Sequence, residues 1–89
     1  MAVSKNFEAA RFLAAVGENV LTHRETAGMS QEDLAALTGL SVEVLDKIER
    51  GHADPRLLTL EAIAIALRAE LGDLLEVSGS EMGLRPTRD

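Results

Sequence analysis

The chain has 89 residues, room for one domain, and 46% of them are hydrophobic while only Phe7 and Phe12 are aromatic, so its core must be aliphatic. The absence of cysteine excludes disulfides, zinc–thiolate sites and thiol catalysis, and no apolar run reaches the roughly 18 residues of a membrane span. A net charge of −6 works against phosphate neutralisation by Lys and Arg, so any nucleic-acid reading must meet that objection.

Residues 1–6 lack the charged and apolar blocks of a signal peptide, which makes the cytoplasm the expected location. Residues 1–15 are expected to form an N-terminal extension, helical from 7, with Asn6 as its N-cap. Phe12, Val16 and Val20 recur at helical spacing and predict a first helix over 7–27, which Gly28 stops. Gly17 weakens that helix by about 1 kcal/mol relative to Ala and allows a break there.

Ser30 opens a second helix, predicted over 31–38. Its hydroxyl can accept from the Asp33 N–H while the Asp33 carboxylate reaches back, an Asp version of the capping box. Leu34, Ala35 and Leu37 are expected inward, and Gly39 ends the helix where a left-handed backbone turn is needed. Leu40 is expected as a buried turn residue. Ser41 caps a third helix over 42–50, with Leu45 and Ile48 facing the core and Gly51 as its stop. Pro55 suits the start of a fourth helix near 56–68, which places Leu57, Leu60, Ile63, Ala64 and Leu67 on one face. A short fifth helix is predicted over 71–76 with Leu74 and Leu75, and residues 77–89 read as a flexible tail.

The informative feature is the combined spacing of Gln31, Leu34, Ala35, Gly39, Leu40, Ser41, Leu45, Ile48, Glu49 and Gly51. The small Ala35 lets two helices cross closely, Gly39 makes the turn, and Leu45 with Ile48 anchors one face of the third helix. Its other face then looks outward, which is the geometry that holds a helix in a DNA major groove.

This pattern resembles the Cro/repressor-type helix-turn-helix family, also called XRE-like. The stretch from Val16-Gly17-Glu18-Asn19-Val20 to Arg24 is similar to that family's first helix, and Ser30-Gln31-Glu32-Asp33-Leu34-Ala35 to its second. Ile48-Glu49-Arg50-Gly51 closes the third, and Asp54-Pro55 with Leu57, Leu60, Ile63, Ala64, Leu67, Leu74 and Leu75 completes the pattern. The resemblance covers residues 16–75, about two thirds of the chain. It implies an all-α, compact five-helix, lambda-repressor-like DNA-binding domain over 16–76, with the helix-turn-helix at 31–50. Members are usually dimeric, bind operator DNA and most often repress transcription.

By that resemblance, Gln31 would contact a phosphate or an adjacent base edge. Val42, Glu43 and Lys47 would face the groove, with Arg50 and His52 near backbone phosphates. Chemically, Val42 can pack on a thymine methyl, Glu43 can accept from cytosine N4, and Lys47 can donate to guanine O6 and N7. Arg24 and Glu49 match positions where the family often places an interhelical ion pair.

Plainer roles compete at several positions. Ser30 and Ser41 are helix caps first, and Glu43 can simply offset a helix dipole. His23 stands where the family has an apolar core residue, and a half-buried, hydrogen-bonded imidazole fits it better than metal ligation. No metal, cofactor or catalytic constellation is expected. Within 42–50, Lys47 and Arg50 stand against Glu43, Asp46 and Glu49, a net of −1, and Asn19, Thr22 and Ala27 replace residues that are often charged in the family.

The fourth helix departs in the other direction. Leu58, Ala62, Ile65 and Ala69 form a second apolar stripe, and a helix apolar all round is normally covered on both sides. The expected cover is the Phe7/Phe12 segment, a second copy or another protein, with Leu58, Ile65 and Ala69 as interface candidates. The primary expectation is a homodimeric regulator, a repressor or autoregulator on a near-palindromic operator in double-stranded DNA, with no membrane role. The rival is a protein-interaction module on the same fold, antitoxin-like or binding the transcription machinery.

Overall fold

The computed structural model describes the backbone of residues 2–77 and the side chains of residues 8–77. The side chain of Phe7 and the tail reading for 78–89 therefore lie outside the described residues. Five helices follow one another, α1 (Ala2–Thr26), α2 (Gln31–Thr38), α3 (Val42–Glu49), α4 (Leu57–Leu67) and α5 (Leu71–Leu75), with no strand among the described residues.

α1 begins at Ala2, ahead of the start predicted at residue 7, and Asn6 lies inside it instead of capping it. An Asn within a helix costs only several tenths of a kcal/mol relative to Ala, which the flanking helix formers offset. Nor does α1 break at Gly17. A Cβ there would overlap the Ile48 carbonyl oxygen and come within 2.7 Å of the Glu49 carbonyl oxygen, so the missing side chain is what lets α1 touch the end of α3. Gly51 meets the same helix one turn earlier. At φ +76° it occupies the left-handed region, and a Cβ on it would come within 2.8 Å of the Ala14 Cα.

α2 and α3 are bounded by local chemistry. Ser30 Oγ accepts from the Asp33 N–H at 3.0 Å, and Asp33 Oδ2 accepts from the Ser30 N–H at 3.0 Å. Gly39, at φ +80°, turns the chain and donates its N–H to the Ala35 carbonyl, and Ser41 Oγ then accepts from the Val44 N–H at 3.0 Å. Pro55 lies before the N-cap of α4, Arg56, and not at its first helical position. At the far end, Asn19 Nδ2 donates to the Leu74 and Glu76 carbonyls at 2.9 and 2.7 Å, so α1 satisfies carbonyl oxygens that α5 leaves without a partner of its own.

The core is aliphatic, as composition requires. Val16 and Val20 from α1, Leu34 from α2, Leu45 and Ile48 from α3, Ile63 from α4 and Leu74 from α5 meet in one buried cluster. Three expectations of burial fail. Leu37 is 61% exposed, because it ends α2 on the side facing the outer edge of α4. Leu57 is 62% exposed, one turn ahead of Leu60, where burial of α4 starts. Leu40 is half-buried at the edge of the core. Leu58 and Ile65 are 80% and 66% exposed, so no described part of the chain, Phe12 included, covers the second stripe of α4.

Helix propensity and packing disagree at residue 17, which makes a direct test. Gly17→Ala gains about 1 kcal/mol of helix propensity but forces a methyl group into the α3 backbone, where overpacking typically costs about 1–3 kcal/mol or more. Thermal denaturation should show a lower midpoint for this variant. A higher midpoint would mean that α1 and α3 do not approach as described.

Candidate nucleic-acid interface

The side chain of Glu49 is only 4% exposed and that of Arg24 only 11%. Arg24 Nε donates to Glu49 Oε2 at 2.7 Å, its Nη2 to Glu49 Oε1 at 3.1 Å, and its Nη1 to the Met29 carbonyl at 2.8 Å. Glu49 raises the Arg24 pKa mainly through this hydrogen bonding, against the opposing effect of burial. Gln31 Nε2 donates to the same Glu49 Oε1 at 2.9 Å. One carboxylate thus joins α1, the first turn of α2 and the last turn of α3.

That junction fixes which side of α3 faces out. With Leu45 and Ile48 in the core and Glu49 buried, Glu43, Lys47 and Arg50 recur at i, i+4 and i+7 along the exposed side. Val42 is half-buried at the start of the helix, and His52 is exposed just past its end. Val42 and His52 bracket that side in sequence, and Gln31 meets α3 through its bonds to Asp46 and Glu49.

Gln31 is less open than the sequence suggests. Its amide nitrogen is engaged by Glu49 and also by Asp46 Oδ1, at 3.3 Å. Asp46 was not among the expected site residues, yet its other oxygen, Oδ2, accepts from Arg50 Nε at 2.8 Å. The Gln31 amide first, and then the Arg50 guanidinium and the charge of His52, hold the Asp46 carboxyl below its ordinary range. The sequence carries half of this signal, since Asp46 and Arg50 stand at i, i+4. The Gln31 contact depends on how α2 crosses α3.

His23 is half-buried, with Nδ1 at 2.9 Å from the Asn19 carbonyl oxygen, a local bond within α1. No group of three or more potential metal ligands exists among the described residues, and no helix there is long and apolar enough to cross a membrane. Met29, Leu37, Thr38, Ala62, Ile65, Ala66 and Arg68 line an open apolar groove of about 540 Å³ between α2 and α4. Ala69 is half-buried at the end of the same stripe.

Comparison with known proteins agrees with this geometry. The helix-turn-helix family model HTH_3 matches residues 22–74. An uncharacterized HTH-type transcriptional regulator of Sinorhizobium fredii is 38% identical over 52 residues, which is 58% of this chain and 68% of that protein. Among solved structures, the restriction-modification controller protein C.AhdI from Aeromonas hydrophila is similar with a TM-score of 0.68 and 34% identity, over 70% of this chain and 94% of that one. An HTH_3 family transcriptional regulator from Vibrio cholerae is similar with a TM-score of 0.70 and 32% identity over 74% of this chain, which spans 37% of that regulator's length.

Two measurements test the junction. Arg24→Ala strands the buried Glu49 carboxylate and should cost about 3–5 kcal/mol in a denaturant titration, whereas a loss within error would mean the pair is solvated. Asp33, held low by the Ser30 backbone N–H, and Asp46 both titrate lower folded than unfolded. Their stabilisation is complete above the unfolded carboxylate pKa of about 3.9 and is lost as pH falls through the depressed folded values. Asp46→Asn should therefore flatten the acid limb of the stability profile, and an unchanged limb would count against the bonds to Asp46.

Proposed function

The chain belongs to the HTH_3 helix-turn-helix family of DNA-binding transcriptional regulators, and from that premise we propose that it is a repressor or autoregulator that binds a near-palindromic operator as a homodimer. The observation that carries this reading is the outward face of α3, held in place by the buried Arg24–Glu49–Gln31 junction and bearing Lys47 and Arg50. Val42 would pack on a thymine methyl, Glu43 would accept from cytosine N4, and Lys47 would donate to guanine O6 and N7. Arg50 and His52 would meet phosphates. Gln31, with its amide nitrogen engaged by Asp46 and Glu49, would present its carbonyl oxygen to a donor on an adjacent base edge. Occluding a promoter requires nothing beyond binding, so repression or autoregulation in the cytoplasm fits the site.

The homodimer rests on α4. Leu58 and Ile65 expose most of their surface, and Ala62 and Ala69 between and beyond them are small enough for a second helix to approach. A two-fold pairing of this stripe would bury both leucine and isoleucine side chains, worth about 1.5–3 kcal/mol each when fully covered. Dimers of this kind set their two recognition helices on half-sites about one helical turn apart. The same exposed stripe and the acidic balance of α3 favour one competing reading, a module that binds a protein partner such as a toxin or a component of the transcription machinery.

Selection from random duplex DNA at low salt separates the two readings. Enrichment of a two-fold symmetric site supports the operator binder, and no enrichment over background leaves the protein-partner reading. On the enriched site, Lys47→Ala should lose about 1–3 kcal/mol and relax preference at one base pair. Glu43→Gln should change the preferred base and raise affinity for unrelated DNA. Sedimentation at micromolar concentration should give a dimer, which Leu58→Glu with Ile65→Glu converts to a monomer. A wild-type monomer there would remove the dimer from the proposal.

A further inference from the structure

We propose that Asp46 is a positioning residue of this interface: its two carboxylate oxygens fix Gln31 and Arg50 on the DNA-facing surface, and sequence discrimination depends on that fixed placement. The inference rests on the DNA-binding reading and deepens it.

One carboxylate spans two elements. Oδ1 accepts from Gln31, the first residue of α2, and Oδ2 accepts from Arg50, the C-cap of α3. Both partners are long side chains that would otherwise lose rotamer freedom when they meet DNA, and ordering them beforehand lowers that loss. Arg50 uses Nε for Asp46 and stays largely exposed, so its two terminal nitrogens can still donate to a phosphate. Gln31 is pinned from two sides, by Asp46 and by the buried Glu49.

Charge alone gives Asp46 no favourable role. An ionised carboxylate beside a phosphate backbone weakens binding to every duplex, and the bonds from Gln31 and Arg50 keep this one ionised. Positioning acts differently. A phosphate contact from a fixed Arg50 sets the register in which base contacts are read, so only the duplex whose bases then meet the Gln31 carbonyl, Val42, Glu43 and Lys47 is favoured. A negative charge that lowers affinity for all DNA, and geometry that restores it for one sequence, together raise the ratio between the two.

The test measures that ratio for the full chain by fluorescence anisotropy, with the best duplex from the selection and a scrambled duplex of equal length. Asp46→Asn should tighten binding to the scrambled duplex and lower the best-to-scrambled ratio about tenfold, the scale of one lost charge-assisted hydrogen bond. Asp46→Ser should lower it similarly, and both variants should keep the wild-type thermal midpoint at neutral pH to within a few degrees, since an exposed ion pair adds little to folding. In an Arg50→Ala background the effect of Asp46→Asn on the ratio should shrink, because the two residues act as one unit.

If both affinities rise in parallel and the ratio holds, Asp46 is only a repulsive charge and the proposal is overturned. Ratio losses that multiply in the double variant overturn it as well, because Asp46 would then act apart from Arg50. A ratio that falls only in step with the thermal midpoint reduces the effect to folding and also overturns it. A chain that enriches no duplex at all removes the DNA-binding reading, and this inference with it.

Discussion

A carboxylate buried as deeply as Glu49 is tolerable only when its charge is met, and this chain meets it from two other helices. Arg24 approaches from α1 with two nitrogens and Gln31 from the start of α2 with its amide. Moving α1 would leave the charge desolvated and unpaired, among the most unfavourable arrangements a small domain can hold, and moving α2 would take away its amide donor. The relative pose of α1, α2 and α3 follows from that requirement. Hydrophobic contact alone is non-directional and would permit α3 to roll, whereas bonds at 2.7–3.1 Å fix its rotation.

The backbone supports the same junction. Gly17 and Gly51 bring α1 and the end of α3 to a separation at which no Cβ fits, and this places Glu49 within reach of Arg24 one helical stretch further along α1. An aliphatic core then fills the space behind α3, with Leu45 and Ile48 directed inward and Val16 and Val20 opposite them. Because the inward face is so fully committed, the outward face is left to charged and polar residues. It is there that any chemistry toward a polyanion must reside.

That outward surface is unusual in balance. Cations and carboxylates alternate on it, and part of the positive charge is already paired within the chain through Asp46. Such a surface attracts a polyanion only weakly through its net charge. α4 shows the opposite composition, apolar on the buried side and on the exposed side. Its outer stripe, at Ile65, lines the groove with α2.

Much of this was legible from residue order, because the signals involved are local. The Ser30–Asp33 box, the Ser41 cap and the left-handed turn at Gly39 act over three or four residues, and so do the apolar spacings that mark α2 to α5. The start of α1 was misplaced because a cap residue such as Asn6 permits a helix start without requiring one. Leu37 and Leu57 were misjudged for a different reason. Periodicity says which residues share a face, and only the packing of other helices says how far along that face burial extends.

By itself, then, the sequence determined five helical segments, the caps of α2 and α3, the aliphatic core and the family pattern at 31–50. Tertiary structure alone decided that Gly17 is a contact point and not a break, that Asn19 holds the end of α5, and that Asp46 reaches Gln31. The physical reason is the range of the interactions. Caps and turns are made between neighbours in the chain, whereas these contacts link residues far apart in sequence or on different helices, and they exist only once the helices have been brought together.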